Sequence, residues 1–220
     1  MVRAQTWTRR RVIALAVLAS ATSFRDQPAA SASSIPQPPK LSVYWAVKHA
    51  PRSIPVFDRT GADWHDALRA AVTTWNQSQG WIRFNVIEEL SDSGDSIAQG
   101  GIVVTSPPVD AAWHGLTLPQ ASQKILDDVR IFFDDTKYSG QYPWPEHRAR
   151  EALAAHELGH ALGLPHSPVG TGGCMAEDRV EQGDPVAPGA WTLNQLELTY
   201  RSQFRKSHQR RKKRPKLLRS

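Results

Sequence analysis

A single cysteine, Cys174, among 220 residues excludes an intrachain disulfide, so the chain must rely on its core and on any bound metal. With no partner in the chain, Cys174 reads as a small buried apolar residue. Methionine is nearly absent as well, with only Met175 besides the initiator. No long apolar run is present: Val12–Ala19 falls far below the roughly 18 residues that cross a bilayer, so no transmembrane anchor is expected. Acids are scarce at both ends. Residues 201–220 hold ten Lys/Arg and no acid, and residues 1–30 hold five Arg against one Asp. The ends therefore carry +14 of a net +6, which leaves residues 31–200 at about −8. The basic character belongs to the ends, and no specific nucleic-acid partner is expected of the domain between them.

The N-terminus has the order of an export signal. Arg9–Arg11 form a charged region, Val12–Ala19 a short apolar one, and Ala19-Ser20-Ala21 or Ala30-Ser31-Ala32 a small-residue cleavage site. Residues 1–32 are thus read as a signal peptide, cut after 21 or 32, and the protein as secreted from a bacterial type of cell. Thr8–Ile13 resembles a twin-arginine signal, but adjacent arginines also occur in ordinary basic n-regions, so both the Sec and Tat routes stay open. The Ser/Ala/Pro-rich stretch that follows leaves 33–40 as a linker, and residues 41–204 form one domain. Residues 205–220 form a basic tail for which the composition predicts disorder. Its two readings are a tether to an anionic surface (cell-wall polymer, lipid headgroups or nucleic acid) and a solubilising end. Phe204 is the one aromatic in residues 201–220, which argues against stacking on single-stranded nucleic acid.

Periodicity predicts an α+β domain. Leu41–Val47 alternates like a first strand, and Trp64, Leu68, Ala71, Val72 and Trp75 make an apolar stripe on a helix over 62–77, with Gly80 just beyond. Trp81–Ile87, Gly101–Thr105, His114–Leu118 and Asp128–Phe133 read as strands, and Pro107-Pro108 end the second of these. Pro145 opens a helix that runs to about Leu162, and Leu193–Tyr200 makes a last one. Most of the eight tryptophans fall on apolar faces, where core packing explains them better than a carbohydrate platform.

The chemistry is concentrated in His156-Glu157-Leu158-Gly159-His160-Ala161-Leu162-Gly163-Leu164-Pro165-His166. On a helix, His156 and His160 lie one above the other and can reach one ion. Glu157 is turned by about 100° from His156, beside the ligand pair and outside it. A straight continuation would carry the next side chains away, so Gly163 must reverse the chain to return His166 as a third ligand, and Pro165 stops further helix. Three neutral nitrogens with one open position suit a catalytic zinc, and an adjacent carboxylate can take a proton from water that the metal activates. A chance match to the five-residue HExxH is common enough. The added glycine and third histidine at fixed spacing make coincidence remote.

This segment resembles the metzincin zinc metallopeptidases, and Ser167 after the third histidine makes it most similar to the matrixin branch. The resemblance implies a methionine in a tight turn beneath the metal ligands, packing without binding. Gly172-Gly173-Cys174-Met175 supplies one, with Met175 about nine residues after His166. It also implies a twisted mixed sheet whose edge strand pairs with substrate, an active-site helix and a C-terminal helix. The expected activity is that of a secreted zinc endopeptidase acting on protein or peptide as a monomer, with His156, His160 and His166 on zinc and Glu157 as base. The resemblance covers roughly 41–204, and only 156–175 is specific. No cysteine precedes the catalytic region, so the family's cysteine switch is absent. Ala176-Glu177-Asp178-Arg179 replaces the aromatic-containing turn of the family's specificity wall, which leaves substrate preference open.

Weaker constellations remain. Asp134-Asp135 and the Ser91–Asp95 loop could give oxygen ligands to calcium, as matrixin domains often do, but neither has regular ligand spacing and solvated turn acids are the simpler reading. His114 could touch an edge strand or a second zinc, yet a closed site needs four ligands. Two rival functions stand beside the peptidase. One is an exported binding module tethered by the tail, with a structural metal. The other is a zinc hydrolase of a non-peptide substrate. Glu157 argues against the first, because a structural site has no use for an adjacent base.

Overall fold

The computed structural model describes residues 38–88, 100–107, 111–138, 146–176 and 186–213. The signal-peptide expectation, the Ser91–Asp95 loop and Pro145 lie outside these residues. The predicted apolar stripe forms α1, Ala62–Ser78, whose Trp64, Ala67, Leu68, Ala71, Val72 and Trp75 are buried. Among the described residues, five strands make one mixed sheet: β1 (Arg52–Arg59), β2 (Ile82–Glu88), β3 (Ile102–Thr105), β4 (Gly115–Ser122) and β5 (Ile125–Phe133). Their order is β2-β1-β3-β5-β4. β1 runs parallel to β2 and β3, β3 runs parallel to β5, and only the edge strand β4 is antiparallel to its neighbour. A short 3-10 turn at Asp135–Tyr138 precedes α2, Glu146–Ala161, and α3 covers Ala190–Lys213. The fold is α+β, as the periodicity predicts.

Two local expectations differ from the structure, and one strand goes unpredicted. Leu41–Val47 makes no strand beyond a single bridge from Tyr44 to Ile125. Its alternating residues are anchors: Leu41, Trp45 and Val47 are buried, and the Leu41 and Trp45 amides donate to Thr199 Oγ1 and the Tyr200 hydroxyl rather than to a ladder. The strand is instead β1, a central strand hidden by Pro51 and Pro55. Proline lacks the N–H that a ladder needs, so a central strand rarely holds it. Arg52 N–H donates toward β2, at Trp81 O, so alternation turns Pro55 toward β3. There the pairing begins only at Val56, with Ile102, and Pro55 interrupts nothing. Finally, α3 continues through 205–213, where composition predicts disorder. Residues 190–213 contain neither Gly nor Pro, Arg, Lys and Gln are good helix formers, and the packed first half supplies the nucleus.

Tryptophans tie α2 into the core. Trp75 on α1 donates its indole N–H to Ala155 O at 2.8 Å, and Trp45 donates to Ala161 O at 2.8 Å, where the last helical carbonyls have no partner of their own. Trp64 stacks on Phe133 of β5 with centroids 4.2 Å apart, and Tyr138 meets it edge-on. Trp45, Trp64 and Trp75 are fully buried and belong to one core cluster with Leu158, Leu162 and Met175. Among the described residues, no helix is long and apolar enough to cross a membrane.

Candidate metal centre

α2 is buried along nearly its whole length, from Ala149 to Ala161, which marks a core helix rather than a surface one. Most of the side chains it presents from Ala149 onward are therefore held by packing, with His160 partly exposed. His156 and His160 stand one turn apart, as spacing predicts, with rings at 90° and centroids 4.6 Å apart.

The third histidine depends on how α2 ends. Gly163 N–H donates to His160 O at 2.8 Å and Leu164 N–H to Gly159 O at 3.2 Å, the pair of bonds that defines a Schellman ending. Gly163 has φ of +88°, and a Cβ there would run into the Val43 carbonyl. Gly163→Ala is thus expected to lower stability by about 2 kcal/mol from backbone strain alone, with the clash in addition. Urea unfolding monitored by circular dichroism checks it, and an unchanged midpoint would refute the strain argument. The reversed chain brings Leu164 O onto His160 Nδ1 at 2.8 Å and carries His166 back over the helix. Ser167 N–H, bonded to Met175 O at 2.8 Å, then fixes the strand of chain beside His166.

The Gly172–Met175 turn supports the site from below. Cys174 O lies 2.7 Å from His156 Nδ1. Met175 is fully buried beneath α2 and fits only because residue 159 is glycine: a Cβ there would overlap the Met175 sulfur and meet Trp75 at 3.0 Å. Burial pushes the Cys174 thiol up to about 12, so it stays protonated and behaves as the apolar filler its isolation suggested.

The three Nε2 atoms converge, with separations of 3.0 Å (His160–His156), 3.1 Å (His156–His166) and 3.2 Å (His160–His166). A carbonyl can only accept, so the Nδ1 atoms of His156 and His160 carry the protons and their Nε2 atoms present lone pairs. Burial, and the neighbouring imidazoles, hold His156 well below the usual histidine pKa, and burial lowers His160. Neutral rings with facing lone pairs repel one another. They call for a cation between them. Tetrahedral zinc with Zn–N of 2.0–2.1 Å sets ligand nitrogens about 3.3 Å apart, close to what is found. The donor set therefore fits zinc. Among the described residues, no other three His, Cys, Asp or Glu side chains gather their ligand atoms in this way.

Glu157 lies beside the trio and is buried. Burial lifts its carboxyl to about 7, against the opposing hydrogen bond from Thr117. Thr117 Oγ1 is 2.5 Å from Glu157 Oε2 and 3.1 Å from Glu157 O. Gly115 faces the other carboxylate oxygen, where a Cβ would come within 2.6 Å of Oε1.

The weaker candidates settle elsewhere. Asp134 is buried rather than solvated and accepts from Ala111 N–H, Thr136 N–H and the Thr136 hydroxyl, and Asp135 accepts from the Trp64 indole at 2.8 Å. His114 meets Tyr138 edge-on just before β4, and among the described residues it joins no group of three potential ligands. His65 pairs with buried Asp58 at 2.7 Å.

Spacing points to His156, Glu157, His160 and His166, and the resemblance adds Met175. Neither reveals Thr117, Gly115, or the carbonyls of Leu164 and Cys174. Carbonyls carry no side-chain signature, and only the shared face of Gly115 and Thr117 on an edge strand could have pointed to the other two. The chain matches no known family model, and no curated protein matches it in sequence.

Proposed function

We propose that the protein is a zinc-dependent endopeptidase of metzincin type, similar to the matrixins, that hydrolyses peptide bonds outside the cytoplasm. One observation carries the proposal. Three histidine Nε2 atoms converge, the lone pairs of His156 and His160 turned inward by carbonyls on Nδ1, and the buried Glu157 follows His156 on the same helix without joining the group. A structural metal would want a fourth protein ligand there, and among the described residues no fourth side chain joins the group.

His156, His160 and His166 would hold the ion. When bound, zinc supplies Lewis acidity, which acidifies water and polarises a carbonyl. The rest falls to the chain. Glu157, whose carboxyl burial raises above the usual carboxylate range, can take a proton from the attacking water and return it to the leaving amine. The burial that raises Glu157 also excludes competing water around it. β4 offers a place for an extended peptide. Asp134 N–H donates to His114 O, so strand alternation turns the main-chain groups of Gly115 and Thr117 outward along the free edge. Pro119, on that same outward side, brings no N–H, which confines any added ladder to the end of β4 nearest Glu157.

The test uses the mature chain on casein and on a quenched peptide library, with and without phenanthroline. Cleavage that chelation stops and added zinc restores is the expected result. A protein that carries zinc yet cuts no peptide would instead favour a non-peptide hydrolase or a binding module.

A further inference from the structure

We propose that Thr117 is a positioning residue: with the bare backbone of Gly115, its hydroxyl clamps the Glu157 carboxylate in one rotamer against edge strand β4. The proposal rests on the peptidase reading above. A glutamate side chain has three rotatable bonds, and freezing them carries an entropic cost of up to about 2 kcal/mol. A base that wandered among rotamers would seldom be in line with its proton. Packing alone does not hold the tip of Glu157, because a carboxylate needs donors.

The donor is Thr117. Its hydroxyl sits 2.5 Å from Oε2 and 3.1 Å from the Glu157 backbone oxygen, and it has one hydrogen to give. The shorter distance assigns that hydrogen to the carboxylate. The opposite side is closed by Gly115: a Cβ would lie 2.6 Å from Oε1 and 2.9 Å from both Cδ and Cγ. Residues 115 and 117 share one face of β4 by strand alternation. The carboxylate thus rests in a cradle two residues wide. Oε2 is held by a donor, and Oε1 lies over the glycine, where it is left to exchange a proton.

The cradle lies on the residues whose main-chain groups point out along the free edge. A peptide that paired with Gly115 and Thr117 would bring its scissile bond beside a base held by the same two residues. Substrate register and base position would then be set by one piece of backbone. Effective orientation of this kind is sensitive to displacements of about 1 Å, which can change rates by about 100-fold.

Thr117→Val removes the hydroxyl and keeps the shape, and Thr117→Ser keeps the hydroxyl. The valine variant should lose about 10- to 100-fold in kcat at nearly unchanged KM and full zinc content, and the serine variant should recover most of the loss. Gly115→Ala, which displaces the carboxylate without touching the hydroxyl, should lower kcat similarly and covers the case in which the valine variant does not fold. A wild-type kcat in Thr117→Val or Gly115→Ala, or a loss confined to KM, would overturn the clamp. A second readout needs no turnover. In chelated protein, Thr117→Val should lower the urea midpoint in the wild-type background and lower it clearly less in a Glu157→Ala background, where only the backbone oxygen of residue 157 is left to accept. Equal shifts in both backgrounds would mean that Thr117 serves only the strand. If the wild type cuts no peptide, the peptidase reading falls, and this stability cycle still decides the clamp.

Discussion

Glutamine at position 157 is expected to lower kcat for peptide hydrolysis by about 1,000-fold, the middle of the range for loss of a general base, while zinc stays bound in full. The substitution is close to isosteric. The Thr117 hydroxyl can donate to the amide oxygen as it does to Oε2, and the space over Gly115 admits the same side chain. His156 and His160 take their orientation from Cys174 O and Leu164 O, and neither of these contacts involves residue 157. What disappears is the acceptor for the proton of water. Zinc by elemental analysis, read beside kcat on a quenched peptide, separates the two effects. A fully active Glu157→Gln protein would remove Glu157 from the mechanism. An inactive protein that had also lost its zinc would show instead that Glu157 holds the site together. Because the burial that lifts the carboxyl to about 7 comes from the helix and the strand around it, shortening the side chain should hurt as well. Glu157→Asp retains a carboxylate but withdraws it from Thr117, so it is expected to fall between glutamine and wild type.

The parts of the protein that could be read in advance are those whose physics is local. A helix places residues four apart on one side, and only glycine turns sharply at φ of +88° without strain, so the histidine trio and the reversal at Gly163 follow from spacing. The stripe of α1 follows for the same reason. What stayed hidden depends on partners far away in sequence. Leu41 and Trp45 alternate like a strand, yet their amides go to Thr199 and Tyr200, more than 150 residues away. β1 carries no strand signal at Pro55, and only the late start of β3 makes that proline harmless. The support of the site is hidden most thoroughly. Thr117 is 40 residues from Glu157, and whether they meet depends on the register of β4 against β5. The carbonyls that orient His156 and His160 exist at every position of every chain. Their role arises from where the two turns place them.

Removing the metal is expected to lower the melting temperature, and by an amount that depends on pH. At free zinc 100-fold above its dissociation constant, binding stabilises the folded chain by about 2.7 kcal/mol, or about 5–10 °C for a domain of this size. Chelated protein also keeps two opposed titrations. His156 and His160 have folded pKa values below their unfolded ones, so their contribution is present above about 6.5 and is lost as the pH falls and unfolding takes up protons. Glu157 has the reverse sign. Its folded pKa of about 7 exceeds the ordinary carboxyl value of 4.5, so its contribution is full below about 4.5 and is lost as the pH rises through 7. The metal-free chain is thus penalised from both sides. Glu157→Gln relieves only one of them, and in chelated protein it should be more stable than wild type above pH 7, by at most about 3 kcal/mol. Below pH 4.5 the two should converge. Melting curves of chelated wild type and Glu157→Gln from pH 4 to 8 read this directly. A constant offset across that range would mean that Glu157 does not titrate as its buried setting requires. With zinc restored the advantage should shrink, since a cation beside the carboxylate favours its charged form.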